Sequence, residues 1–216
     1  LRHMEEVGVQ PDEVSHNIVI NAFGKANRPQ EAAQWLAQME QVFLQPDQVS
    51  YSSVIGAFGR AGMPGEAARW LERMIQAGLR PNIVCWNSVI HAYGKAKMPE
   101  AAGQTMSRME AAGITPTTKS FNILLDAMAR SSNDLLNQAE HIASVMLHRG
   151  MRLDSYSFGA LVRCCAYPLR ADHAEMWFRR FLEDLPFNER VAYNFQRAVG
   201  VERASAVCAE YGIRFP

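Results

Sequence analysis

Residues 48–82 read QVSYSSVIGAFGRAGMPGEAARWLERMIQAGLRPN, and this stretch decides the fold. Its first apolar stripe, Tyr51, Val54, Ile55 and Phe58, has the i, i+3, i+4, i+7 spacing that puts side chains on one helix face. Gly62-Met63-Pro64 then marks a tight turn, because proline suits the first position of a helix, where an N–H would have no intrahelical partner. Ala67, Trp70, Leu71 and Met74 form a second helical stripe. The stretch closes on Gly78-Leu79-Arg80-Pro81-Asn82: glycine takes the left-handed conformation that ends a helix, and the proline beyond it prevents resumption. The unit is helix, turn, helix, stop.

The unit recurs at a spacing of 35 residues without a gap over 13–47, 48–82 and 83–117, and 118–154 is a fourth copy with a two-residue insertion. The first-helix stripe returns as His16, Val19, Ile20 and Phe23, as Trp86, Val89, Ile90 and Tyr93, and as Phe121, Leu124, Leu125 and Met128. Ala22, Ala57, Ala92 and Ala127 recur beside it, where a small side chain lets two helices approach. Asn27-Arg28-Pro29 and Lys97-Met98-Pro99 repeat the turn. A single hairpin cannot bury its own apolar face, so the repeats stack into an α-solenoid with the first helices on one side. Residues 1–12 read as the end of a preceding unit. After Asp154 the pattern weakens: 155–187 is a degenerate fifth unit, and 188–216 reads as a pair of capping helices split at Gly200.

Composition removes most other chemistries. A hydrophobic content of 48% is ample for a buried core, and 22 Lys and Arg against 22 Asp and Glu demand no anionic partner, so any such partner depends on where the charges sit. Cys85, Cys164, Cys165 and Cys208 form no C-x-x-C pair and read as reduced, mostly buried thiols. No apolar run approaches the roughly 20 residues of a membrane span. The histidines show no H-E-x-x-H, and there is no G-x-S-x-G, glycine-rich phosphate loop or carboxylate cluster of a nuclease. No catalysis within 1–216, no metal, no cofactor and no small-molecule substrate are therefore expected. The chain begins at Leu1 with no initiator Met or recognisable transit peptide, which reads as a processed product or a fragment.

Val14-Ser15-His16-Asn17-Ile18-Val19-Ile20, Val49-Ser50-Tyr51-Ser52-Ser53-Val54-Ile55 and Val84-Cys85-Trp86-Asn87-Ser88-Val89-Ile90, each in a unit ending Gly-x-x-Pro-Asp or Asn or a close variant, resemble the pentatricopeptide repeat. The tetratricopeptide repeat has a 34-residue period, against which three ungapped copies at 35 argue. The resemblance covers residues 1–154. It implies a right-handed superhelical α-solenoid that binds single-stranded RNA, one base per repeat, as an adaptor in the RNA metabolism of a mitochondrion or plastid. The alternative it leaves open is a structural subunit or protein-interaction scaffold of a large ribonucleoprotein assembly such as an organellar ribosome.

The same resemblance assigns residues. Base edges are read by the fifth and last residues of each unit: Asn17 with Asp47, Ser52 with Asn82, Asn87 with Thr117, and Asn122 with Asp154. These pairs imply U, A, a pyrimidine and U, a core of U-A-Y-U. The second residue packs against base faces, here Val14, Val49 and Val84, with Lys119 departing toward a phosphate. Lys25, Arg60, Lys95 and Arg130, also 35 apart, are the phosphate contacts. A plainer account stands beside this one. Asn and Ser near a helix start serve as caps, Asp and Asn favour turns, and a cation at a helix end complements its dipole by about 0.3 to 1 kcal/mol.

Overall fold

The computed structural model describes residues 8, 10–131, 134–166 and 170–213; most of 1–12, read above as the end of a preceding unit, lies outside the described residues. The chain is all-α, with helices α1 (Glu13–Lys25), α2 (Pro29–Gln41), α3 (Gln48–Ala61), α4 (Pro64–Gln76), α5 (Ile83–Lys95), α6 (Pro99–Ala111), α7 (Thr118–Arg130), α8 (Leu136–His148), α9 (Ser155–Cys165), α10 (Ala171–Asp184), α11 (Glu189–Val199) and α12 (Val201–Glu210). Among the described residues none of them is long and apolar enough to cross a membrane.

Two compact units divide the chain between Thr115 and Pro116. In the first, α1 packs on α2 and α3, α3 on α4 and α5, and α5 on α6, so the first helices of successive hairpins are neighbours and the second helices flank them. This is solenoid stacking, and the stripes explain it. Val54, Ile55, Val89 and Ile90 are fully or almost fully buried, as are Ala32, Leu36, Met39, Ala67, Leu71 and Met74 on the second helices. Each such Ile, Leu or Met contributes about 1.5 to 3 kcal/mol of burial. Of the small residues singled out, Ala57 and Ala92 are buried, whereas Ala22 on the first helix is exposed.

A closer approach lies two residues further on. A Cβ added to Gly59 would sit 2.7 Å from the carbonyl oxygen of Ser88, so α3 and α5 approach through a glycine.

The second unit repeats the scheme with α7 on α8 and α9, α9 on α10 and α11, and α11 on α12. Phe158, Phe178, Phe181 and Phe195 are fully buried there, with Phe178 and Phe195 stacked at 4.2 Å between ring centroids. Arg203 on α12 binds Asp172 and Glu175 of α10 at 2.7 and 2.6 Å, and Arg179 bridges Glu175 to Glu210, which fastens the last helix to the fifth hairpin.

The turns follow their chemistry. Pro29, Pro64 and Pro99 open α2, α4 and α6. Gly78, Gly113 and Gly150 end their hairpins at φ of 75°, 75° and 71°. In the first hairpin the same register holds Phe43, at φ 60° and 92% exposed, a conformation that L side chains adopt with strain.

Candidate nucleic-acid interface

Each first helix begins with the last residue of the preceding unit acting as its N-cap. Asp47 accepts through Oδ1 from the backbone N–H of Val49 and Ser50 at 2.9 and 2.8 Å, Asn82 from Val84 and Cys85 at 3.0 and 3.1 Å, and Asp154 from Tyr156 and Ser157 at 2.9 Å each. A cap of this kind stabilises the helix by about 1 kcal/mol. The capping account thus holds for these last residues, and it fixes which atom of each remains for another partner.

It does not hold for the fifth residue, which lies inside the helix and reaches across to the next hairpin. Asn17 donates from Nδ2 to Asp47 Oδ1 at 3.3 Å and accepts at Oδ1 from the hydroxyl of Ser50 at 2.6 Å. Asn122 repeats this in the second unit, donating to both oxygens of Asp154 at 3.0 Å and accepting from Ser157 at 2.6 Å. Two of the four expected pairs are therefore joined directly. The pair Ser52 and Asn82 meets through Cys85 instead, whose sulfur lies 3.1 Å from Ser52 Oγ and whose backbone N–H is capped by Asn82. Asn87 and Thr117 belong to different units; Asn87 is buried, with its Oδ1 unpaired among the described residues, and Thr117 is the exposed cap of α7.

Burial pushes the Asp47 carboxyl up, but hydrogen bonds from the backbone and hydroxyl of Ser50, from Val49 N–H and from Asn17 outweigh it and hold the group below the ordinary carboxylate value. Asp47 thus stays ionised near neutrality. Its Oδ2 carries no hydrogen bond among the described residues and is available as an acceptor. Asn82 differs in one respect that matters: with Oδ1 committed to the cap, only its NH2 donors remain.

Val14, Val49 and Val84 are 63%, 56% and 57% exposed, although each sits one residue from a buried or half-buried position. Branched apolar side chains left in solvent at one register form a row of surfaces suited to flat apolar faces. Lys119 is exposed at the same register.

The cations Lys25, Arg60, Lys95 and Arg130 all fall in the last turn of a first helix and are exposed, as dipole complementation also requires. They are not equivalent. Lys95 donates to the carbonyl of Arg60 at 2.5 Å, and the Arg60 guanidinium lies beside Gly24 and Gly56. Arg130 is held by Asp126 at 2.6 Å, and Asp126 also takes Arg163.

All four cysteines are free and buried, and among the described residues no three His, Cys, Asp or Glu side chains are grouped to hold a metal. From the second unit on, the third residue, Ser50, Cys85, Ser120 and Ser157, is fully buried, whereas Ser15 of the first is half-buried, and of these only the burial of Cys85 was expected from the sequence. The signal was there, as a recurring small polar residue at a register where the helix faces its neighbour.

The sequence matches the PPR repeat family over residues 11–60 and 81–130 and the PPR repeat over residues 49–79. None of the curated proteins matches the chain. Its fold is similar to that of the pentatricopeptide repeat protein PPR10 of maize, solved in complex with an 18-nt psaJ RNA element, at a TM-score of 0.76 and 20% identity over 98% of this chain and 32% of that one. It is similar also to the PPR domain of Arabidopsis thaliana protein-only RNase P 1 in complex with tRNA, with a TM-score of 0.69 and 15% identity over 93% of this chain and 98% of that domain. Nuclear proteinaceous RNase P 2 from A. thaliana matches at a TM-score of 0.72 and 13% identity, over 90% of this chain and 43% of that one. The chain spans about a third of the length of PPR10.

Proposed function

Because the chain belongs to the pentatricopeptide repeat family, we propose that it is a sequence-selective adaptor for single-stranded RNA, reading one base per repeat with a preferred core of U-A-Y-U. The observation that carries this is the recurrence of one polar arrangement, Asn17 with Asp47 and Asn122 with Asp154, on otherwise apolar helix faces. In each pair the carboxylate is an acceptor and the amide nitrogen a donor. Uracil offers the complement, a ring N–H flanked by carbonyl oxygens. Where Asn82 has only donors left, the complement is an unprotonated ring nitrogen, which adenine presents beside an amino group that the Ser52 hydroxyl can accept from.

Val14, Val49 and Val84 pack against the base faces in this account, and Lys119 reaches a phosphate in the fourth unit. Lys25, Arg60, Lys95 and Arg130 follow the backbone. Four phosphate contacts give a slope of about −2.8 in log affinity against log salt, or about −2.1 if Arg130 stays with Asp126. Binding then falls roughly 50-fold or 20-fold between 50 and 200 mM salt. The setting that family membership favours is a mitochondrion or plastid, where the bound stretch is protected or presented to other factors.

Asn17→Ala combined with Asn87→Ala tests the assignment. The double variant, checked by its melting curve, is expected to lose affinity for U-A-Y-U while keeping its salt slope; unchanged affinity and specificity would overturn the base assignments. A second reading, a scaffold subunit of a ribonucleoprotein assembly, draws on Val42 and Phe43, which are 57% and 92% exposed beside each other. It requires weak, sequence-blind RNA binding and a stoichiometric protein partner on co-purification.

A further inference from the structure

The third residue of a unit has no place in the base-reading scheme, yet its side chain touches the reader of the preceding unit wherever both lie in one compact unit. The contacts are Ser50 to Asn17 at 2.6 Å, Cys85 to Ser52 at 3.1 Å and Ser157 to Asn122 at 2.6 Å. We propose that this buried third residue is a specificity-determining positioning residue, which fixes the amide orientation of the asparagine reader and so decides which atom the base meets. The proposal rests on the one-base-per-repeat function above.

A serine hydroxyl has one proton and can accept as well. In Ser50 one lone pair is taken by the backbone N–H of Asp47 at 3.1 Å, and in Ser157 by that of Asp154 at 3.2 Å. The single proton is left with two candidate acceptors. For Ser50 these are Asn17 Oδ1 at 2.6 Å and Asp47 Oδ1 at 2.9 Å; for Ser157 they are Asn122 Oδ1 at 2.6 Å and Asp154 Oδ1 at 3.2 Å. The asparagine oxygen is nearer in both. Turned over by 180° about its last bond, the amide would place its oxygen against the carboxylate, and the hydroxyl would have to turn its proton to the aspartate and take the NH2 on its second lone pair. The carboxylate therefore disfavours the flipped amide, and the serine proton, 2.6 Å from the asparagine oxygen, holds the orientation that remains. The asparagine carbonyl is consumed, and one N–H of Nδ2 remains for a base.

Cys85 supplies the internal contrast. Its thiol is a weak donor, and its partner Ser52 carries a hydroxyl that serves as donor or acceptor alike, so the reader of the second unit is not locked. Cys85 is also fully buried, which shows that a thiol fits this register in a folded hairpin.

The test uses the full chain carrying Ser50→Cys or Ser157→Cys, with short RNAs of the U-A-Y-U type bearing U or C at the first or fourth nucleotide, read by fluorescence anisotropy. Wild type is expected to prefer U at both. Ser50→Cys is expected to lower the U-to-C preference at the first nucleotide roughly 5- to 10-fold, the equivalent of one hydrogen bond, and to leave the fourth unchanged; Ser157→Cys does the reverse. A merely structural role would lower affinity for all the RNAs together, with the melting temperature, and leave both preferences intact, which overturns the proposal. Should wild type show no U preference at either nucleotide, the base-per-repeat function falls and this inference with it. A wild type that discriminates beside cysteine variants that discriminate equally well overturns the inference alone.

Discussion

Replacing Asp47 with asparagine turns one carboxylate oxygen into an NH2 donor and leaves the capping oxygen in place. Asn82 shows the outcome at the same register: its Oδ1 caps α5 through Val84 and Cys85 while the NH2 stays uncommitted. Asp and Asn are near equals as N-caps, so the folded state is expected to change by less than about 0.5 kcal/mol. The base-facing group, by contrast, changes sign. The ring N–H of uracil then faces a donor, whereas the bare ring nitrogen of cytosine faces a match. A good side-chain pairing to a base edge discriminates by about 1 to 3 kcal/mol, which is roughly 5- to 150-fold in affinity. Asp47→Asn is expected to exchange U for C at the first nucleotide by a factor in that range, measured by anisotropy with RNAs differing only there. A variant that melts like wild type and still prefers U would refute the reasoning. The acid side offers a check on wild type. Since the folded Asp47 value lies below the ordinary one, the ionised cap contributes fully above about pH 4 and is lost only as pH falls through the lower folded value. No change in the U preference from this carboxylate is therefore expected between pH 5 and 8.

Other expectations concern the scaffold. Gly59→Ala puts a Cβ 2.7 Å from the Ser88 carbonyl oxygen, so chemical unfolding is expected to show a loss of about 1 to 3 kcal/mol, whereas Gly103→Ala, with nothing within 4 Å, gains about 0.5 to 1 kcal/mol. Phe43→Gly removes a left-handed conformation worth about 1 to 2 kcal/mol of strain, partly offset by the freedom glycine adds to the unfolded chain, for a net rise of about 0.5 to 1 kcal/mol in a thermal melt. Burial pushes the thiols of Cys164 and Cys165 up to about 12, so alkylation by iodoacetamide at pH 8 is expected to be slow in the native protein and fast in denaturant.

The hairpins were legible because the cues that define them are local. The stripe from Tyr51 to Phe58, the proline at 64 and the glycine at 78 each act within a few residues, and the helices fall where they point. Burial of the same stripes between neighbouring hairpins follows from the repeat itself. What the sequence did not disclose are contacts that depend on the distance between helices. The close approach at Gly59 is one, since a glycine inside a helix reads as a weak point until Ser88 is seen above it. The buried serines are another: Ser50 and Ser157 look like ordinary first-turn residues, and only the packing of the next hairpin brings them to Asn17 and Asn122. Phe43 was passed over for a related reason, because a glycine register occupied by phenylalanine gives no turn signal. The candidate site was half legible. The capping role of Asp47, Asn82 and Asp154 and the reading role assigned to them share the same residues, and only the atom-by-atom geometry separates the oxygen used by the helix from the groups left for a base.

The most direct measurement is a titration of the protein against a short RNA centred on U-A-Y-U and against a scrambled control, by fluorescence anisotropy at 50 and 200 mM salt. Base-by-base reading is expected to give a clear preference for the designed RNA with a salt slope between about −2.1 and −2.8. Equal and weak binding to both RNAs with a shallow slope would contradict it.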